Sequence, residues 1–371
     1  MVQKNKEIWI VVGTRPNFIK VTQFKRVAEG FPGLVVKIVH TGQHYDDKMA
    51  GVFFDQFGLR PDEFLNIKPD HPAKQIAETI AALTDLFLEK KPALVIVVGD
   101  VNSTLAAAIA ANKCHIPIAH LESGLRSFDR EMPEEHNRMV ADDMADLHFV
   151  TEDSGLQNLR NERKPEFGIA FVGNTMIDTL VAFNDEIAKS TILAKVGLKK
   201  ENYALVTLHR PSNVDTEEGI KMLLKVLKAT ADLLPIVFPM HPRTRKKIAD
   251  LGLNSDLAAI KSIHLIEPLG YFDFQKLVSD SRFVLTDSGG IQEETTFLRK
   301  PCLTLRPNTE RPSTIDKGTN ILLPFDVNAI TPIMRDIVEG NFKEGQIPDF
   351  WDGKATERIL ARIEQFFNTG Y

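Results

Sequence analysis

The sequence predicts two doubly wound, parallel-sheet α/β domains, and three observations carry that expectation. Short continuous apolar runs such as Ile8–Val12 and Ala93–Val98 alternate with helical patterns, which is how strands covered by helices on both faces read. The alternation continues to Ile169–Val172 and starts again at Tyr203–Leu208. The chain has 371 residues, whereas a single core rarely grows beyond about 250–300. The expected division is residues 1–172 and 173–353, with a last helix over 354–371 packing back on the first domain.

Taken in order, strand Ile8–Val12 runs into GTRPN and a helix from about Pro16, since proline suits a first helical turn. Strand Val35–Val39 ends in HTGQH, and a helical pattern covers about Asp46 to Phe57. The next helix, Pro72–Glu89, places Ile76, Ile80, Leu83 and Phe87 on one face. Strand Ala93–Val98 ends in Gly99-Asp100, with an alanine-rich helix over Thr104–Asn112 behind it, where Asn102, Ser103 and Thr104 can cap. Strand Ile116–His120 ends in LESG, Glu134–Met144 is helical, and Leu147–Val150 is a strand. In the second half, Tyr203–Leu208 ends in HRPSN, Ile236–Phe238 in PMHPRT, Ile263–Ile266 in EPLGYFDF, and Pro301–Leu305 in RPNTERP; Ile321–Leu323 follows.

The stretch Phe283–Leu298, FVLTDSGGIQEETTFL, is the centre of the second half. It reads as a buried strand, a Ser288-Gly289-Gly290 turn and a helix start, an arrangement that offers unpaired N–H groups to an anion. A carboxylate one turn into such a helix can take both hydroxyls of a ribose. An ordinary strand-to-helix turn has the same letters. In open α/β sheets ligands bind beyond the carboxyl ends of the strands; those ends carry Arg15, His44, Asp100, Glu122, His209, His241, Ser288 and Arg311. A ligand gripped by two such edges would occupy an interdomain cleft.

Composition is that of a globular chain, with 43% hydrophobic and 26% charged residues. A net charge of −5 provides no basic field for nucleic acid. Two cysteines far apart, Cys114 and Cys302, argue against a disulfide scaffold and suit a reducing compartment. The N-terminal apolar run, Ile8–Val12, is too short for a signal peptide or membrane span, so the expected location is the cytoplasm, away from membranes. His40, His44, His120 and His136 lack convincing ligand spacing, so no metal is expected.

Within GTRPNFIK, Arg15 and Lys20 lie beside a positive helix end, where two cations make sense if an anion comes in; surface residues are the ordinary alternative. Asp100, Glu122 and the Glu134-Glu135 pair bring carboxylates to separate strand and helix ends. Glu134 alone reads equally as a helix-start residue. Like charges brought together split their pKa values, which is what an acid–base pair requires. His209 reads as a packed histidine or a catalyst, and Arg311 as a diphosphate grip or a salt bridge to Glu310 or Glu293.

The motifs GTRPNFIK, GDVNST, HLESGLRS, MPEEHNR, VGNTMID, HRPSN, TDSGGIQEE and TERP, from about Ile8 to Gly318, together resemble the non-hydrolysing UDP-N-acetylglucosamine 2-epimerases. The resemblance implies the GT-B fold, two Rossmann-like domains around a cleft, in a homodimer without redox cofactor or required metal. It implies interconversion of UDP-GlcNAc and UDP-ManNAc by elimination of UDP to a bound glycal and re-addition, supplying sugars for bacterial surface polysaccharide. Carried over by motif, Asp100, Glu122 and Glu134 are the acid/base carboxylates and His209 the histidine near the diphosphate. Arg15, Lys20 and Arg311 are the cations, Ser288, Gly289 and Gly290 the phosphate loop, Glu294 the ribose-binding acid, and Phe274 a neighbour of the uracil. Val101 stands where the family often has threonine, Tyr45 and Asp46 follow the QH pair where some relatives are basic or amide, and HRPSN lacks the second arginine of the frequent HRRE form. A close subgroup acts on a UDP-diacetamido uronic acid, and GT-B glycosyltransferases share the nucleotide grip.

Overall fold

The computed structural model describes residues 5–42, 54–68 and 71–369; His44, Tyr45 and Asp46 lie outside them. The chain divides into two units, one running to Ala182 and resuming at Asp349, the other Phe183–Pro348. The first unit thus extends past residue 172, because the helix Thr175–Ala182 belongs with it.

The first unit has a seven-stranded sheet of β1 (Lys6–Val12), β2 (Leu34–His40), β3 (Glu63–Phe64), β4 (Leu94–Val98), β5 (Ile118–Leu121), β6 (Leu147–Val150) and β7 (Ile169–Phe171). Its order is β3-β2-β1-β4-β5-β6-β7, and every pair is parallel. The second unit repeats the scheme with β8 (Ala204–Thr207), β9 (Ile236–Pro239), β10 (Ile263–Ile266), β11 (Phe283–Thr286), β12 (Cys302–Leu305) and β13 (Asn320–Leu323), in the order β10-β9-β8-β11-β12-β13. In each sheet the winding reverses once, between β1 and β4 and between β8 and β11. Such a reversal splays the flanking connections apart and leaves a crevice at the strand carboxyl ends.

The inner strands are buried on both faces, which is why they read as unbroken apolar runs: every residue of β4, β5, β6, β8, β11 and β12 is buried. Helix Pro72–Lys90 corrects one expectation. Its buried row is Gln75, Thr79, Leu83 and Phe87, while Ile76 and Ile80 are half-buried. The row turns toward helix Asn102–Lys113, whose Asn102 side-chain amide donates to Gln75 Oε1 at 2.8 Å. That second helix has Ala106, Ala107, Ala108, Ala110 and Ala111 fully buried, since only small side chains allow helices and sheet to approach on several sides. Its N-cap is Val101, not one of the polar residues after it. Thr104 instead donates to the Val98 carbonyl at 2.6 Å, and Ser103 bonds the Thr41 hydroxyl at 2.8 Å, tying this helix to its own strand and to the end of β2.

At that end sits His40, 5% exposed, stacked on Phe64 at 5.2 Å and accepting the Gly42 N–H on Nδ1 at 3.0 Å. Burial pushes its imidazole down to about 4. Because the folded value lies below the ordinary histidine value of about 6.5, the contribution is fully present above pH about 6.5 and is lost as pH falls toward about 4. Urea unfolding across that window is expected to show a stability slope steeper by up to about 1.4 kcal/mol per pH unit in the wild type than in His40→Gln. Equal slopes would refute the assignment.

Candidate active site

In the first unit the candidate side chains Arg15, Lys20, Asp100 and Glu122 gather at the carboxyl ends of β1, β4 and β5. After β1, Thr14 leads into the short helix Arg15–Ile19, where Pro16 sits in the first turn and Arg15 is half-buried. Asn17 donates to the Val98 carbonyl at 3.1 Å, which fastens this turn to the end of β4. Lys20 and Glu122 meet there, Nζ to Oε2 at 2.6 Å, with side chains 7% and 4% exposed. Lys20 is therefore not a bare cation awaiting an anion; a carboxylate already stands against it.

Glu122 occupies left-handed backbone, φ +71°. A residue other than glycine holds that region at a cost, and the surroundings must enforce it. Gly99 makes the meeting feasible. A Cβ there would lie 3.2 Å from Asn17 Nδ2 and Lys20 Nζ and 3.4 Å from Glu122 Oε2, and its φ is +64°.

Asp100 follows in the same turn, with its side chain partly exposed and ion-paired to Arg138. Its backbone carbonyl accepts from Asn137 Nδ2 at 2.9 Å. Arg138 is buried and also pairs with Glu135, one helical turn earlier. The glutamates of MPEEHNR thus divide. Glu135 is buried and accepts the N–H groups of Ser127 and Phe128, each at 2.9 Å, along with the Ser127 hydroxyl. Burial would raise its carboxyl, but these donors and Arg138 bring it below the ordinary value. Glu134 is half-buried at the start of helix Pro133–Met144, and its carboxylate makes no hydrogen bond or ion pair among the described residues.

In the second unit the corresponding ends belong to β8, β11 and β12. Asp287, fully buried after β11, accepts the N–H groups of His209 (3.0 Å) and Arg210 (2.8 Å) and the Asn213 amide (3.1 Å). The His209 Nδ1 lies 3.2 Å from the same carboxylate, so one aspartate fixes both the HRPSN backbone and the imidazole. The His241 ring is 5.8 Å away, centroid to centroid; burial first, then His209 and Arg243, push it below the ordinary histidine value.

Ser288 is the N-cap of helix Gly289–Phe297, and Ser288, Gly289 and Gly290 are half-buried. The reason for glycine at 289 is a side chain: a Cβ there would stand 3.0 Å from Arg311 Nη1 and 3.1 Å from Glu310 Oε1. Arg311 pairs with both carboxylates that the sequence offers, Glu293 (Nε to Oε2, 2.9 Å) and Glu310. Glu310 also takes Arg306 Nη2 at 3.1 Å. These four charges are buried, and burial is the main reason the Arg306 guanidinium is pushed below its ordinary value. Glu294 is 3% exposed beside Tyr271, whose phenol is raised by burial and then by that carboxylate. Phe274, on helix Tyr271–Asp280, is half-buried against the apolar cluster of Tyr203, Leu277 and Ile291.

Sequence reading missed Arg138 and Asp287. Their letters stand inside MPEEHNR and TDSGGIQEE, but nothing local announces a partner 38 or 78 positions away. Among the described residues no three His, Cys, Asp or Glu side chains are placed to hold a metal ion, and no helix is long and apolar enough to cross a membrane.

Comparison with known proteins gives the family. A curated UDP-N-acetylglucosamine 2-epimerase of Methanocaldococcus jannaschii is 37% identical over 358 residues, covering 95% of this chain and 97% of that one. The UDP-2,3-diacetamido-2,3-dideoxy-D-glucuronate 2-epimerase of Pseudomonas aeruginosa is 36% identical over 362 residues, covering 96% and 99%. The crystal structure of the M. jannaschii UDP-GlcNAc 2-epimerase in complex with UDP-GlcNAc and UDP superposes with a TM-score of 0.88 at 36% identity, covering 97% and 99%. The family model for UDP-N-acetylglucosamine 2-epimerase matches residues 28–364. With both sheets wound as in that GT-B-type neighbour and the match running through both units, the chain belongs to the UDP-N-acetylglucosamine 2-epimerase family, whose members are isomerases.

Proposed function

We propose that this protein interconverts UDP-GlcNAc and UDP-ManNAc by non-hydrolysing 2-epimerisation. The observation that carries the reading is Glu122, a buried carboxylate on left-handed backbone, paired with Lys20 at 2.6 Å beside the turn that bears Asp100. Strain held at a polar strand end is characteristic of a site where chemistry is done. The names of the relatives supply the substrate class.

In this reading Asp100, Glu122 and Glu134 move the proton at sugar carbon 2. One carboxylate removes it while the bond from carbon 1 to UDP breaks, leaving a glycal; UDP then returns to carbon 1 as a proton is delivered to the opposite face of carbon 2. The departing diphosphate gains charge, and preorganised donors stabilise such charge most. The Ser288-Gly289-Gly290 helix start, Arg15 and His209 fill that role, joined by Lys20 and Arg311 from within their ion pairs with Glu122 and with Glu293 and Glu310. Glu294 takes the ribose hydroxyls and Phe274 neighbours the uracil. The enzyme works as a homodimer in the cytoplasm, and its product feeds surface polysaccharide synthesis.

The P. aeruginosa relative favours a second substrate, a UDP-diacetamido uronic acid, because its identity nearly equals that of the UDP-GlcNAc enzyme. Proton NMR in heavy water, with no acceptor, nicotinamide or metal added, separates the two. Deuterium entering carbon 2 of UDP-GlcNAc together with UDP-ManNAc signals is the expected result. Exchange confined to the uronic acid would transfer the assignment to that substrate. Free ManNAc would mean hydrolysis, and no exchange on either sugar would end the epimerase reading.

A further inference from the structure

We propose that His120 is a positioning residue for Asp100: a doubly protonated imidazole, held by Asp142, that fixes the Gly99–Asp100 peptide through the Gly99 carbonyl. The inference rests on the epimerase reading of Asp100 and adds a residue to which that reading gives no part.

His120 lies fully buried in β5. Its Nδ1 is 2.6 Å from Asp142 Oδ1, and its Nε2 is 2.7 Å from the Gly99 carbonyl oxygen. A carbonyl oxygen can only accept, and the Asp142 carboxylate is already surrounded by donors: the Ser123 hydroxyl, the Gly124 N–H at 3.1 Å and Arg126 Nη1 at 2.7 Å. Both ring nitrogens therefore face acceptors, and an imidazole that makes both bonds carries two N–H groups and a positive charge. The charged and titratable groups around the ring fit this state. Asp142 is opposite it, with Arg126 on the same carboxylate and His148 Nδ1 3.9 Å from Asp142 Oδ1, while Lys20 and Glu122 lie beyond Gly99. Burial alone would raise the Asp142 carboxyl, but His120, His148 and Arg126 hold it well below the ordinary range.

The leverage is on the backbone. Glycine has more conformational freedom than any other residue, so a catalytic aspartate placed directly after Gly99 needs something else to fix its peptide plane. The Gly99 oxygen belongs to the peptide that begins Asp100, and a charge-assisted bond to it sets that plane more firmly than a neutral one. The same Asp142 also holds Ser123 and Gly124, which follow the strained Glu122. A single buried carboxylate thus registers two turns, one bearing Asp100 and one bearing Glu122.

Two variants of the full chain separate the two bonds of the ring. His120→Gln can keep a donor at the Nε2 place, toward Gly99. His120→Asn can keep one at the Nδ1 place, toward Asp142. The expected result is that His120→Asn lowers kcat by about 100-fold with KM nearly unchanged, the scale of a small misplacement of a reacting group, while His120→Gln retains kcat within about fivefold. Equal losses in the two variants, tracking a common fall in Tm, would overturn the positioning role, as would no loss in either.

Nitrogen-15 NMR of the wild-type protein labelled at histidine is an independent test. Two protonated ring nitrogens on His120 are expected, one N–H toward Asp142 and one toward the Gly99 carbonyl. A wild-type ring with one bare nitrogen would refute the inference even if neither variant folds. Failure of the wild type to exchange carbon 2 of any UDP-sugar would instead count against the function, and the state of the ring would still decide this proposal.

Discussion

Asp100→Asn is expected to lower kcat for epimerisation by about 10²–10⁴-fold, the usual worth of a positioned proton-transfer group. The substitution is close to isosteric. An asparagine oxygen can still accept from Arg138, and the backbone carbonyl at residue 100 keeps its bond from Asn137 at 2.9 Å. What disappears is the capacity to take up or release a proton. UDP affinity is expected to stay within about threefold, since the residues assigned to the nucleotide are mostly elsewhere, and a uniform binding loss would not single out the transition state. Progress curves by NMR give kcat, and calorimetric titration with UDP gives the dissociation constant. An unchanged kcat would remove Asp100 from the chemistry. Parallel loss of kcat and UDP binding would point to a collapsed turn.

Asp287→Ala is the second large expectation, and it acts on stability as well as rate. The carboxylate receives the N–H groups of His209 and Arg210 and the Asn213 amide, and lies 3.2 Å from His209 Nδ1. Alanine removes every acceptor at once. Each buried donor left unpaired costs about 1–3 kcal/mol, and water can reach His209, so a net loss of about 2–4 kcal/mol is expected. Urea unfolding checks that figure. UDP binding should weaken together with stability, because the HRPSN turn loses its anchor. A variant with wild-type stability would show that the turn holds itself.

Much of this architecture was legible because it depends on local signals. An apolar run closed by a glycine and a carboxylate, as at Val98-Gly99-Asp100, announces a buried strand and the group it delivers at its end. FVLTDSGGIQEE does the same in the second unit. The partnerships were not legible, because they depend on what the fold brings together. Glu134 and Glu135 have the same letter and the same helix-start context, yet only Glu135 turns under Ser127 and Phe128. Lys20 reads as a cation beside a helix end; only the fold shows Glu122 against it, 102 positions away. Arg311 had both a phosphate and a salt-bridge reading, and the fold supplies Glu293 and Glu310 together. The two-residue strand β3 carries no periodicity to find, and Gln75 and Thr79 lie buried where hydrophobicity would have placed Ile76 and Ile80.

The return of the chain to its first unit has a consequence for how the protein is made. Asp178 accepts the first N–H groups of helix Ala355–Thr369, at 3.0 Å from Ala355 and 2.6 Å from Thr356. The Trp351 indole donates to the Thr151 carbonyl at 2.8 Å, and at Gly173 a Cβ would fall only 2.0 Å from the Phe350 carbonyl oxygen. Domains usually mature on the ribosome in the order of their synthesis. Here residues 183–348 are one unbroken stretch, whereas the first unit lacks a wall until translation reaches residue 349 and beyond. The second half of the polypeptide can therefore reach its native state before the first half does. The nascent N-terminal sheet is left waiting for a plug that emerges only after the whole second unit, and chaperones have their longest opportunity at its unfinished edge.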